Sequence, residues 1–218
     1  MTQLDRLHFE QRTSEQLHNQ PADKPTDRTS MAPKQSRVAL LDSAIEQIAL
    51  KGVRGMRVEE VARGAGVSPA LIYHHFGDRS TLLQEALVHI GERADLYAEA
   101  RGRNGHEMLR NMLCDEFQDD AAVRTNSAAW GELRDSAIFD PTLRTTIGDL
   151  TERWIDDIAG TITTGLDDGS LRPGLNARRL GARFTALAEG LSTRWLAELI
   201  TTDEARSLIL EAIDELAT

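Results

Sequence analysis

The sequence predicts an all-α protein, with a small N-terminal helical module ahead of a larger helical body. Three observations carry that expectation. Apolar residues recur three and four positions apart along most of the chain, with no stretch of strand-like alternation. Only 5% of the 218 residues are aromatic, and Ala, Leu and charged residues dominate, a composition that favours helices over sheets. The periodic stretches are separated by short segments rich in Gly, Pro, Asp and Asn, such as "RGRNG", "FDP" and "DDGSLRPGLN".

The elements follow in order. Residues 1–33 are rich in Gln, Asp, Thr and Pro with few large apolar side chains, so they are expected to form a disordered extension. Met31 is a candidate translation start near its end. From about Lys34, Val38, Leu41, Ile45 and Ile48 mark one face of a first helix, which Lys51-Gly52 closes. A short second helix runs from Val58 to Gly64, and Gly66 breaks it. Ser68 is placed to cap a brief third helix with Pro69 at its first position, where a missing N–H costs nothing. Asp78 caps a long fourth helix carrying Leu82, Leu83, Leu87 and Ile90. Further helices are predicted over 105–119, 121–138, 141–166, 176–199 and 202–217, nine in all.

The overall net charge of −10 argues against a polyanionic partner, but its distribution argues the other way. Residues 31–80 hold seven basic side chains against five acidic ones, net +2, whereas residues 81–218 are net −11. A mildly basic module on an acidic body suits a protein that touches DNA at one end. The single cysteine, Cys114, excludes an internal disulfide and fits a reducing, cytoplasmic setting. No apolar run reaches the ~18 residues of a membrane span, so no membrane partner is expected.

Helix, tight turn and short helix over 58–76 make a helix-turn-helix, whose second helix enters the major groove. Val58, Val61, Ala62, Val67, Leu71, Ile72 and Phe76 can pack this module together. That leaves Ser68, Ala70, Tyr73 and His74 outside, with 70, 73 and 74 on one face. Tyr73 suits a phosphate or a thymine methyl, His74 a phosphate or base, and Arg79 a backbone phosphate. His74 and His75 point about 100° apart as helical neighbours, so they are not expected to chelate one metal ion.

The stretch "RVALLDSAIEQIALKGVRGMRVEEVARGAGVSPALIYHHFGDRSTLLQEAL" resembles the DNA-binding domain of TetR-family transcriptional regulators, most specifically in "VEEVARGAGVS", "LIYHHF" and "DRSTLL". The resemblance covers about 50 residues with the family's spacing throughout. It implies a cytoplasmic dimeric repressor whose C-terminal body holds a small-molecule pocket. Two positions depart from the family's pattern. Arg57 stands where a Thr or Ser usually caps the second helix, and an arginine cannot cap, which costs roughly 0.5–2 kcal/mol at that helix end. The same Arg57 is placed to reach a phosphate. Arg79 replaces the usual lysine and keeps its charge. Further on, "WGELRDSAIFDPTLR…LDDGSLRPGLN" resembles the C-terminal domain of the choline-sensing, BetI-like branch.

The domain expectations are therefore a helix-turn-helix DNA-binding domain over 34–80 and a helical effector-binding and dimerisation domain over 81–218. Its pocket is expected between helices four to eight, near Tyr97, Phe117, Trp130 and Trp154, with an aromatic lining suited to an apolar ligand or a quaternary amine. Leu187, Leu191, Ile209 and Ile213, on the apolar faces of the last two helices, are the expected dimer contacts, unless those faces pack inward. Glu85, His89 and Glu92 share a face of helix four that reads as a solvated surface or, less simply, as a divalent-ion site. The partners expected are double-stranded operator DNA, a small-molecule effector and a second copy of the chain, with neither metal nor cofactor. A helical DNA-binding protein without an effector stays open as an alternative. So does a helical enzyme, although no nucleophile elbow, phosphate loop or HExxH motif supports one.

Overall fold

A computed structural model describes residues 31–217. The extension expected to be disordered therefore falls almost entirely outside the described residues. Nine helices follow among those described: α1 Met31–Gly55, α2 Val58–Gly64, α3 Pro69–Phe76, α4 Arg79–Tyr97, α5 Gly105–Cys114, α6 Ala121–Ser136, α7 Pro141–Asp167, α8 Ala177–Leu196 and α9 Thr202–Asp214. The all-α class holds, and the one extended pairing described is an isolated antiparallel bridge, Leu171 to Ala217.

Most helix starts are set by a side-chain cap of the kind the sequence signals. Asp78, Asn104, Asp120, Asp140, Asn176 and Thr201 each accept from backbone N–H groups of the first turn. Thr201 and Glu204 form a reciprocal capping box. Two starts lack such a cap. Arg57 precedes α2 without a side-chain cap, as its chemistry requires. Ser68 sits at the N-cap of α3 with extended backbone (φ −80°, ψ 149°), yet its hydroxyl makes no cap bond. The expected Ser68 cap is thus corrected, and that hydroxyl stays exposed. Gly52, expected to end the first helix, instead kinks it: its φ is +71°, and one more turn runs on to Gly55. A Cβ at Gly52 would stand 2.7 Å from a Glu132 carboxylate oxygen, the movable end of a side chain, so the positive φ is what calls for glycine there.

Residues 36–218 make one compact unit with two apolar cores. The first gathers Leu40, Ile45 and Ile48 of α1, Val61 of α2, Ile72 and Phe76 of α3, and Leu82 to Ile90 of α4. It also takes in Ala129, Leu133 and Leu143 from α6 and α7. The second joins α5, α7, α8 and α9 around Phe117, Phe184 and Trp195. The Phe117 and Trp195 rings meet edge-to-face at 5.7 Å, and the Arg124 guanidinium lies over Trp195 at 4.5 Å. The helix-turn-helix therefore shares its core with the body. Ser43 ties α1 to α2 through a 3.0 Å bond to the Val61 carbonyl.

The α5–α7 crossing depends on two glycines. A Cβ on Gly105 would fall inside the Gly165 backbone, and one on Gly165 would lie 2.6 Å from Leu171. Gly105→Val is expected to cost about 3 kcal/mol, because rigid backbone rather than a movable side chain faces the added atoms. Urea unfolding checks this, and a midpoint unchanged from the parent would show that the helices can part cheaply.

Candidate nucleic-acid interface and interior cavity

The sequence order glycine, Ser-Pro, short apolar helix produces a compact head on which α3 exposes one side. Ile72 and Phe76 are buried, whereas Ser68, Ala70, Tyr73 and His74 are exposed, Tyr73 by 52%. All four expected groove residues are therefore exposed, Ser68 just ahead of α3 and the other three on it. Arg57 is exposed at the start of α2. His75 is half-buried, with ring contacts to His74 and Phe76, and the Arg37 guanidinium covers the Phe76 ring at 5.3 Å. Arg79 differs from the other candidates. It is half-buried, and its guanidinium donates to the Val53 carbonyl in the last turn of α1. From the opposite side, the Val53 N–H donates to Glu132 of α6 at 3.3 Å. One residue is thus held by α4 through its carbonyl and by α6 through its amide.

The Glu85, His89 and Glu92 face is engaged in contacts within the protein. Glu85 pairs with Arg37, and His89 lies between Asp42 (3.0 Å) and Glu92 (3.3 Å), so this face of α4 clamps α1. His89 does not edge the cavity described next. Among the described residues, no group of three or more His, Cys, Asp or Glu side chains is placed to hold a metal.

The body holds a partly open cavity of about 130 Å³ bounded by α4, α5, α6, α7, α8 and the turn after α5. That is roughly ten times the space one water molecule needs by the same measure. Tyr97, Phe117, Trp130 and Trp154, which are dispersed over 58 positions of sequence, all line it. What the sequence reading missed is the polar part of the wall. Four carboxylates, from Asp95, Glu116, Asp157 and Glu189, face two guanidiniums, from Arg134 and Arg153. Arg153 pairs with Asp95 and approaches Asp157 at 3.9 Å, while Arg134 lies 3.8 Å from Glu189. Glu189 also accepts from the Trp130 indole N–H at 3.3 Å. Glu116 has no such partner, and burial, reinforced by the charges of Asp115 and Asp95, pushes its carboxyl up to about 8. Burial, with the Glu116 charge added, likewise keeps the Tyr97 phenol protonated far above its usual range.

Asn126 of α6 is 2% exposed on this wall. Its Nδ2 donates to the Ile90 carbonyl and to the Tyr97 hydroxyl, both at 3.1 Å. The spacing of Val123, Asn126, Ala129, Trp130 and Leu133 already puts this amide on the inward face of a helix. Glu116 was expected inside a helix over 105–119, but that helix ends at Cys114 and places Glu116 in the following turn, where helical spacing does not set its direction.

Three of the four expected dimer contacts need correction. Leu191 is 3% exposed, and Ile209 and Ile213 are fully buried in the second core, so no partner can reach them. Leu187 is half-buried against the same core. Close packing within one subunit uses up Leu191, Ile209 and Ile213. The outward side of α8 carries Ala182, Ala186, Gly190 and Thr193 instead.

The comparisons with known proteins agree with this architecture. Residues 40–86 match the family model for bacterial regulatory proteins of the tetR family, and residues 105–218 match the C-terminal model of BetI-type transcriptional repressors. A transcriptional regulator BetI from Burkholderia mallei is 26% identical over 188 residues, covering 83% of this chain and 92% of the relative. A solved Rhodococcus sp. chain, described as a TetR-family transcriptional regulator, superposes with a TM-score of 0.80 at 40% identity, covering 85% of this chain and 100% of that one. A transcriptional regulator from Saccharomonospora viridis, solved in complex with choline, gives a TM-score of 0.75 at 25% identity, with 85% and 99% covered. A helix-turn-helix with an exposed face on its second helix, a helical body and matches over both halves make this chain a member of the TetR family of DNA-binding transcriptional regulators, with a BetI-type C-terminal region.

Proposed function

We propose that the chain is a cytoplasmic, homodimeric repressor that leaves its operator when a small organic cation enters the body cavity. The observation that carries this reading is the cavity itself, in which four aromatic rings and a surplus of carboxylate line one space. Rings attract a cation through their negative faces, and the carboxylates add charge attraction. The choline bound by the Saccharomonospora viridis relative belongs to the same chemical class. In this reading Ser68, Ala70, Tyr73 and His74 meet the major groove, while Arg57 and Arg79 lie near phosphates.

A route between the sites supports the coupling. The first half of α4 buries Leu82, Leu83 and Leu87 in the DNA-side core, and its last turns give Ile90, Gly91, Ala94 and Tyr97 to the cavity. On α6, Trp130 faces the cavity and Glu132 holds the Val53 amide. A ligand that repositions either helix changes the spacing of the two recognition helices, which must stand ~34–36 Å apart to meet successive major grooves. Release then requires that the ligand prefer the mismatched spacing.

Operator gel shifts titrated with choline or tetramethylammonium test the reading. Release by either supports it, and no release by any organic cation removes it. Tryptophan fluorescence should change as the effector binds. Trp130→Phe should remove most of that change and weaken the effector about tenfold, while leaving effector-free operator affinity near the parent's. A response untouched by Trp130→Phe would make this residue ordinary core.

The dimer is expected to form through the small outward residues of α8. At Gly190 an added Cβ would meet nothing, which leaves room for a partner helix. Ala186→Arg, on the exposed side, should give a folded monomer with lost operator binding. Light scattering reads the mass, and a dimer persisting in that variant would move the interface elsewhere.

A further inference from the structure

We propose that the recess between the start of α6 and the α8–α9 turn is a second binding site, separate from the body cavity, for a small zwitterion whose carboxylate pairs with Arg124 and whose ammonium pairs with Glu198.

The recess is open, with a volume of about 520 Å³. Its lining comes from three places: Asp119 and Arg124 around the entry to α6, Trp195 at the end of α8, and the turn that runs from Glu198 into α9. It shares no lining residue with the body cavity.

Two opposite charges line this space without meeting. The half-buried Arg124 guanidinium lies over the Trp195 indole, 4.5 Å from the ring centre, and makes neither a hydrogen bond nor an ion pair among the described residues. A guanidinium laid on a ring keeps its in-plane N–H groups for a carboxylate. The exposed Glu198 carboxylate also lacks a partner among the described residues. The other two carboxylates of the recess are committed. Asp119 accepts from the Thr202 hydroxyl, which itself accepts from the Trp195 indole N–H at 2.9 Å. That relay fixes the ring on which Arg124 rests. Glu204 accepts from the Thr201 N–H at 2.7 Å and from its hydroxyl at 2.9 Å.

The backbone supplies an independent sign. Glu198 is the one non-glycine residue with positive φ (+57°) among those described. It follows the α8 C-cap, where its N–H donates to the Trp195 carbonyl at 3.0 Å and the Leu199 N–H reaches back to Arg194 at 2.9 Å. Helix ends of this kind favour glycine, because a side chain crowds the left-handed backbone. Glu198 keeps a side chain where the backbone penalises one, and such strain gathers at ligand clamps.

The charges decide the ligand class. A simple anion drawn to Arg124 meets three carboxylates in the same recess, and a simple cation drawn to those meets Arg124. A molecule carrying both charges a few bonds apart matches both. Leu199, 74% exposed, offers an apolar wall to the carbons between them. Such a ligand would fasten α6 to the α8–α9 turn.

Calorimetry on the full-length protein at pH 7 with glycine, β-alanine and 4-aminobutyrate tests the site, because one, two or three carbons then separate the charges. At least one should bind about tenfold tighter than acetate or methylammonium, which carry a single charge each. Arg124→Gln and Glu198→Gln should each weaken that ligand about tenfold, with effector-free operator affinity near the parent's. Trp130→Phe, in the body cavity, should leave its binding unchanged. Glu198→Gly should lose the binding and yet raise the melting temperature by roughly 2–4 °C as the left-handed strain is relieved. No binding by any of the three amino acids, acetate or methylammonium bound as tightly as they are, or binding unchanged in Arg124→Gln would overturn the site. Binding lost in Trp130→Phe would place the ligand in the body cavity and overturn it as well. Binding unchanged in Glu198→Gln would overturn the pairing of Glu198 with the ammonium.

Discussion

Ala70→Glu is expected to lower operator affinity about 100-fold or more with the fold unchanged. Ala70 is exposed on α3, on the same side as Tyr73 and His74. A carboxylate there would face base edges and phosphates without a cation, and an unpaired charge buried at an interface costs about 2–5 kcal/mol. Because the residue touches no core side, the thermal midpoint should move little. Tyr73→Ala removes one contact and should cost about tenfold. Arg79→Ala should behave differently from both. Its guanidinium also holds the Val53 carbonyl, so the variant should lose thermal stability as well as affinity. The loss should extend to non-specific DNA, and the salt slope should fall by about one phosphate contact. Gel shifts at two salt concentrations with parallel melting curves check all three. An Ala70→Glu protein that holds its operator like the parent would take α3 out of the groove.

Glu116→Gln should make the effector-free protein more stable at pH 8 to 9. The carboxyl is raised from 4.5 to about 8 by burial, so the folded chain binds this proton more tightly than the unfolded chain. Its contribution to stability is therefore full below about pH 4.5 and is lost as pH rises towards 8. Glutamine keeps the shape and removes the ionisation. The gain at pH 8.5 should be about 1–3 kcal/mol, less than the shift alone would suggest because water and side-chain relaxation screen the charge. Thermal melts at pH 5 and pH 8.5 should converge at the lower value. A variant no more stable than the parent at pH 8.5 would show that Glu116 ionises without penalty. Gained stability together with weakened choline binding is the trade expected of a group kept for a ligand.

Much of the fold was legible because its signals are local. Spacing of three and four marked the helices, and Asp78, Asn104, Asp120 and Asp140 sit just ahead of four of them. The outward set Ser68, Ala70, Tyr73 and His74 followed from which neighbours were apolar, since one short helix decides it. Local signals also failed where two chemical roles compete for one residue. Ser68 has a capping side chain that does not cap, and Gly52 looks like a terminator but kinks.

The sequence by itself determined the helical class, the element order, the outward face of α3 and the aromatic residues available to a pocket, because each depends on neighbours within a turn or two. Only the tertiary structure decided which apolar faces were already used. Ile209 and Ile213 have the same periodicity whether they meet a partner or their own core, and close packing within the subunit buries them. It also decided the chemistry of the cavity. Glu116, Asn126, Arg153 and Glu189 come from four separate segments, and each alone reads as a solvated polar residue. Their meaning lies in which charges cancel and which do not, and that is fixed by distances across the body rather than by spacing along the chain.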